Sequence, residues 1–136
     1  MNSVSSTSVF SITIEKCNGA LGMESGFITD QQLSAHSAWN NNRPRYGAAR
    51  ARLYLNEWPQ GWSAQKNDPS PWLQIDLLLM RTVTAVATQG YGNKNEKEWV
   101  KTYEIMTSRD GERWNAYKEG GRKRVRQELD LLLSHN

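Results

Sequence analysis

Trp72-Leu73-Gln74-Ile75-Asp76-Leu77 is the stretch that decides the architecture. Apolar and polar side chains alternate along it with the period of two that marks a half-buried strand. Two further stretches, residues 81–89 and 99–108, carry the same strand-like composition. Trp114-Asn115-Ala116-Tyr117 predicts a shorter strand after Ser108-Arg109-Asp110-Gly111, whose Asp-Gly pair is a tight-turn signal. Upstream, residues 9–14 and 51–55 read as strands. Residues 30–35 read as a turn or a single helical turn. Polar loops rich in Gly, Pro and Asn separate these runs, notably residues 39–46, 56–71 and 90–98. Short strands so punctuated predict an all-β, antiparallel sandwich or barrel.

The C-terminus departs from this pattern. Val125, Leu129, Leu132 and Leu133 fall at helical spacing and predict a short amphipathic helix. The chain therefore divides into a Ser-rich loose segment at 1–8, a β-sandwich at 9–118 and a basic, amphipathic tail at 119–136.

A chain of 136 residues is sized for one domain. Its hydrophobic fraction of 38% is modest, so six tryptophans (39, 58, 62, 72, 99 and 114) must supply much of the core. The net charge of +3 and pI near 9.1 suit weak attraction to anionic surfaces. They are too mild for a nucleic-acid binder, although Arg122, Lys123, Arg124 and Arg126 form one dense basic cluster. No apolar run is long enough to cross a membrane as a helix, and residues 9–14 are too brief and polar for a signal-peptide core.

Catalytic chemistry finds no support. The glycines from Gly19 to Gly26 lack the spacing and the lysine of a phosphate loop. No paired His or Cys motif suggests zinc. Cys17 is the sole cysteine, which excludes an intrachain disulfide, and His36 and His135 stand outside any nucleophile pattern. Asp76 sits in an apolar strand and needs a partner, for which Arg52 in another strand is the candidate. A structural ion pair is the favoured reading over a catalytic acid. Asp30, Asp68 and Asp110 could each contribute oxygen to a calcium ion, yet none lies in a dense oxygen-ligand loop, and no metal site is predicted.

The motifs together resemble a known family. Cys17, Leu21-Gly22-Met23-Glu24-Ser25-Gly26-Phe27-Ile28, Leu33-Ser34-Ala35 and Ala51-Arg52-Leu53 come first. Trp72-Leu73-Gln74-Ile75-Asp76-Leu77, Thr88-Gln89-Gly90, Trp99-Val100-Lys101-Thr102-Tyr103, Ser108-Arg109-Asp110-Gly111 and Trp114 follow in order. Their order and spacing resemble the discoidin domain, also called the coagulation factor V/VIII C-type domain.

The resemblance implies an antiparallel jelly-roll β-sandwich of the galactose-binding type and a non-catalytic, extracellular or cell-surface recognition role within a longer protein. Members bind anionic phospholipids, glycans, collagen or other proteins through loops called spikes, so an anionic membrane surface or a cell-surface glycan is the expected partner, with a protein ligand as the alternative. By position, the first spike supplies Trp39, Arg43, Arg45 and Tyr46, and the second Tyr91, Asn93, Lys94 and Lys97. An exposed indole or phenol beside arginines suits an interface with phosphate or carboxylate. The alternative for Trp39 and Tyr46 is that they fold back and cap the core. Cys17, Arg52, Trp72, Asp76, Trp99 and Trp114 take structural roles, with Trp58 and Trp62 also in the core or at its rim. Family domains usually close on a second cysteine that pairs with the first, and none is present here. Arg126-Gln127-Glu128-Leu129 nonetheless resembles the family's closing strand. The resemblance thus implies exposed sheet edges and marginal stability, unless the tail helix covers the gap.

Overall fold

β1 (Leu33–Ala35) and β2 (Leu73–Ile75) pair antiparallel in the computed structural model, with Leu33 opposite Ile75 and Ala35 opposite Leu73. The structure describes residues 19–92, 97–123 and 125–127. Alternation decides the faces of β1: Leu33 and Ala35 are buried and Ser34 between them is exposed. Ile28 just before β1 and Ala38 just after it are buried with them.

The turn that feeds β1 is tied down at several points. Gly22 sits at φ +113, and a Cβ there would lie 2.6 Å from the Cβ of Phe27, so the position requires glycine. Its carbonyl accepts the N–H of Ile28 at 3.1 Å. Arg52 then spans the turn, donating to the carbonyls of Met23 and Ile28 at 2.8 Å each and to Asp30 at 2.5 Å. Asp30–Gln32 form one 3-10 turn. Gln32 extends the β1–β2 ladder: its carbonyl accepts from the N–H of Asp76 at 2.8 Å and its side-chain amide donates to the Asp76 carbonyl at 2.7 Å.

The second half is a set of short antiparallel ladders. β3 (Tyr91–Gly92) pairs with β4 (Lys97–Glu98). β5 (Thr102–Glu104) and β6 (Met106–Thr107) lie end to end. β7 (Asn115–Ala116) pairs with β6, and Tyr117 continues the line by donating its N–H to the carbonyl of Ile105 at 2.8 Å. β8 (Lys118–Glu119) and β9 (Arg122–Lys123) then pair with each other. β10 (Val125–Gln127) returns to β5, with Val125 opposite Glu104 and Gln127 opposite Thr102. Residues 115–117 and 125–127 therefore flank 102–107 in succession, and 118–123 leave that line as a separate hairpin.

Every strand pairing among the described residues is antiparallel, and the one α-helix spans four residues, so the all-β expectation holds at this level. Several finer expectations do not. The tail helix is corrected at its start: Val125–Gln127 is a strand, because it completes the β5 edge, and 128–133 lie outside the described residues. Residues 51–55 form no strand, since the 3-10 turn Ala48–Arg50 directs the chain away and Tyr54 adopts φ 53. Residues 81–89 are likewise not assigned to a ladder. The Arg52–Asp76 ion pair is replaced: Arg52 is turned toward the 23–30 segment, and Asp76 Oδ1 accepts the N–H of Leu78 at 2.7 Å. Trp72, Trp99 and Trp114, expected in the core, are 45%, 51% and 40% exposed, and Trp58 is exposed as well. Trp62 is half-buried and donates its indole N–H to the carbonyl of Ser37 at 2.9 Å. Cys17 and residues 9–14 lie outside the described residues.

Candidate functional site

The first predicted spike leaves β1 through Ala38 and turns twice. Trp39–Asn41 form a 3-10 turn in which Asn40 and Asn41 hold φ of 52 and 54. Asparagine is, after glycine, among the residues that best tolerate the left-handed region, so consecutive asparagines are the local reason for this path. α1 (Arg43–Tyr46) follows. Its N-cap is Asn42, whose Oδ1 accepts the N–H of Arg45 at 3.1 Å, with Pro44 in the first turn where no N–H is needed.

A second segment braces this unit. Trp39 donates its N–H to the carbonyl of Ser63 at 2.8 Å, and Ser63 donates its own to the carbonyl of Tyr46 at 3.2 Å. Asn40 donates its N–H to Oε1 of Gln65 at 2.8 Å. Both ends of the spike are thus hydrogen-bonded to residues 63–65.

Beneath the brace lies Asp68, whose side chain is 2% exposed. It accepts from the Ser37 hydroxyl at 2.5 Å and from the N–H of Ser70 at 3.0 Å, and it pairs with Nδ1 of His36 at 2.8 Å. The Ser37 hydroxyl first, then the Ser70 amide and His36, hold its carboxyl below the usual carboxylate range against the opposing effect of burial. Ser37 Oγ also accepts the N–H of Gln65 at 3.0 Å. The ring of His36 lies 6.0 Å from that of Trp72 at a tilt of 36°. Ser37 and His36 both bind the carboxylate rather than each other, so the trio is a structural clasp and not a nucleophile relay.

The structure brings four of the eight predicted ligand residues together. Arg45 places its guanidinium 5.6 Å from the centre of the Tyr46 ring. Arg43 reaches back toward the carbonyl of Ala35 at 3.4 Å. Trp39 and Tyr46 are half-buried, and Asn40, Asn41, Asn42, Arg43 and Arg45 are exposed. The second spike is seen only at its base, where Tyr91 opposes Glu98 and Gly92 opposes Lys97. Asn93 and Lys94 lie outside the described residues.

Sequence reasoning missed the bracing set of Ser37, Ser63, Gln65 and Asp68. One signal was present: Asp68-Pro69-Ser70 is an Asx-turn pattern, in which the carboxylate accepts the N–H two residues on. No group of three or more His, Cys, Asp or Glu that could hold a metal ion occurs among the described residues.

Comparison with known proteins gives a consistent result. The family model described as the F5/8 type C domain matches residues 32–131. Neuropilin-1 of Homo sapiens is 44% identical over 109 residues, covering 79% of this chain and 11% of that protein. Coagulation factor VIII of Homo sapiens is 35% identical over 114 residues, covering 84% of this chain and 5% of that protein. Lactadherin of Mus musculus is 35% identical over 119 residues, covering 85% of this chain and 26% of that protein. The chain thus spans about a quarter or less of the length of these relatives.

Proposed function

Because the chain belongs to the F5/8 type C, or discoidin, domain family, we propose that it is a non-catalytic, extracellular recognition module of jelly-roll type that docks on anionic phospholipid surfaces. The docking element is the loop 39–46. The observation that carries this reading is the Arg45–Tyr46 stack, 5.6 Å from guanidinium to ring centre, on a capped helix turn braced from 63–65. A guanidinium laid on an aromatic ring has lost much of its freedom already, so less ordering is needed when a phosphate or carboxylate binds. A phenol and an indole beside it suit the headgroup boundary of a bilayer. Arg43 adds a second cation, and each basic side chain near an anionic membrane surface contributes about 1 kcal/mol. Tyr91, Asn93, Lys94 and Lys97 of the second spike complete the surface in this reading. The module acts within a longer secreted or cell-surface protein.

A glycan ligand is the second reading, favoured by one observation. Asn40, Asn41 and Asn42 are exposed beside the half-buried indole of Trp39, which matches a stacking face with hydroxyl-binding amides. A protein ligand is the remaining alternative.

Co-sedimentation of the chain with phosphatidylserine and with phosphatidylcholine vesicles, at low and physiological salt, separates these readings. The proposal expects selective binding to phosphatidylserine that weakens with salt. Equal binding to both vesicle types, or none by a folded sample, overturns it.

A further inference from the structure

One titratable group beside the spike takes no part in its docking surface. His36 lies between β1 and the loop 39–46, with a side chain 48% exposed. Its Nδ1 faces both carboxylate oxygens of Asp68, at 2.8 and 2.9 Å. An ionised carboxylate only accepts, so Nδ1 carries the hydrogen and an added proton goes to Nε2.

From this exposed ring a run of hydrogen bonds leads to the spike tip. Asp68 accepts the Ser37 hydroxyl, Ser37 Oγ accepts the N–H of Gln65 at 3.0 Å, and Oε1 of Gln65 accepts the N–H of Asn40 at 2.8 Å. Gln65 and Asp68 also close one turn, the Asp68 N–H donating to the Gln65 carbonyl at 3.0 Å. The imidazole is thus linked through Asp68, Ser37 and Gln65 to Asn40, which the spike holds at φ 52.

Histidine is the side chain whose ordinary change of charge falls between about pH 5 and pH 8. Asp68 stays ionised over that range, because the Ser37 hydroxyl above all holds its carboxyl below the usual carboxylate range. A proton on His36 turns a hydrogen bond from a neutral donor into an ion pair, which is shorter and stronger. The indole of Trp72, 6.0 Å away and tilted by 36°, attracts the same cation. The other charged groups on the elements around the ring are Lys66, exposed in the 65–68 turn, and Arg43 of α1, which donates to the Ala35 carbonyl. Lysine and arginine do not change charge in that range. β2 brings Trp72 and Leu73 to this end of the ladder and no titratable group.

We propose that His36 is a positioning residue of the spike, whose protonation tightens the clasp and raises the affinity of the loop 39–46 for anionic phospholipid, an inference that rests on the phospholipid reading above. The ion pair holds Asp68, Ser37 and Gln65 against the loop at the acid end of the range. That hold is lost as pH rises and the ring gives up its proton. A loop already held needs less ordering when it binds, so affinity moves in the same direction.

The test compares the parent chain with His36→Asn at about pH 7.5 and about pH 6. Asparagine can donate to Asp68 and carries no charge at either pH. Hydrogen exchange at the Asn40 amide, corrected for its intrinsic pH dependence, reads the coupling without lipid. Titration with phosphatidylserine vesicles reads the consequence for binding. In the parent, Asn40 protection and vesicle affinity should each rise about threefold on acidification, and in His36→Asn both should stay level. His135→Gln, the control for the second histidine, should respond as the parent does. Should His36→Asn melt early, an NMR pH titration of the parent carries the test, with the His36 ring and the Asn40 amide expected to share one midpoint. A rise in Asn40 protection in the absence of any vesicle binding supports the coupling and overturns the phospholipid reading instead. No rise in the parent, an equal rise in His36→Asn, a response lost in His135→Gln, or separate midpoints each overturn the proposal.

Discussion

Asn40 donates its backbone N–H to the side-chain oxygen of Gln65 at 2.8 Å, across 25 residues of sequence. This bond, with the Trp39–Ser63 and Ser63–Tyr46 pairs, makes the spike a supported element rather than a free loop. Gln65→Leu removes the acceptor and leaves an amide of the tip without its partner, a loss of about 1 kcal/mol. We expect roughly a fivefold weaker affinity for phosphatidylserine vesicles with every spike side chain intact. Faster hydrogen exchange at the Asn40 amide should accompany it. An unchanged exchange rate would show that Gln65 does not hold the spike.

Arg45→Gln removes the cation stacked on Tyr46. At about 1 kcal/mol per basic residue near an anionic surface, affinity should fall about fivefold, and its salt dependence should become shallower. Arg45→Lys retains the charge but not the guanidinium over the ring, so it should fall in between. Vesicle titrations at two salt concentrations read both effects.

Arg52 holds two backbone carbonyls and Asp30 from a side chain only 12% exposed. Arg52→Ala should lower stability by about 2–3 kcal/mol, mainly because the Met23 and Ile28 carbonyls lose their donor. Chemical denaturation should show a lower midpoint. Arg52→Lys should recover only part of the loss, since an ammonium cannot reproduce the guanidinium fork.

Acid should weaken two places in the fold. Asp68 is held below the usual carboxylate range chiefly by the Ser37 hydroxyl. Asp110 is lowered from 3.8 to about 2, first by the N–H of Arg113 and then by that of Glu112. A carboxyl whose folded value lies below its unfolded value adds stability above the unfolded value, and that stability is lost as pH falls toward the folded one. For Asp110 the loss falls between about pH 4 and pH 2. Thermal melts across that range should decline in the parent chain. The acid limb should be flatter in Asp110→Asn, and Ser37→Ala should flatten the part due to Asp68. An acid limb identical in all three chains would contradict this assignment.

Much of the fold was legible in the sequence, for identifiable reasons. Alternation in Trp72-Leu73-Gln74-Ile75-Asp76-Leu77 marked β2, and Asp110-Gly111 marked the turn before β7, because both signals are local. The segment 39–46 reads in the sequence as a polar loop, and α1 inside it was not anticipated. Its helix rests on the Asn42 cap and Pro44, a signal spread over only a few residues. The Arg52 partner was misjudged because opposite charges in two apolar runs do not say which way a side chain turns. The 3-10 turn at Ala48–Arg50 settled that by sending Arg52 toward Asp30. The bracing residues Ser63 and Gln65 were invisible, since small polar residues in a loop carry no pattern of their own. The tail was read by apolar spacing as a helix, whereas the unpaired edge of β5 captured Val125–Gln127 as a strand.

The central claim is that the loop 39–46 contacts an anionic phospholipid. The most direct measurement is a residue-resolved NMR titration of the folded chain with soluble short-chain phosphatidylserine, with short-chain phosphatidylcholine as reference. The account predicts saturable shifts concentrated at the amides of Trp39, Asn40, Arg45 and Tyr46 and at the indole of Trp39, absent with phosphatidylcholine. Shifts confined to other residues, or identical with both lipids, would contradict it.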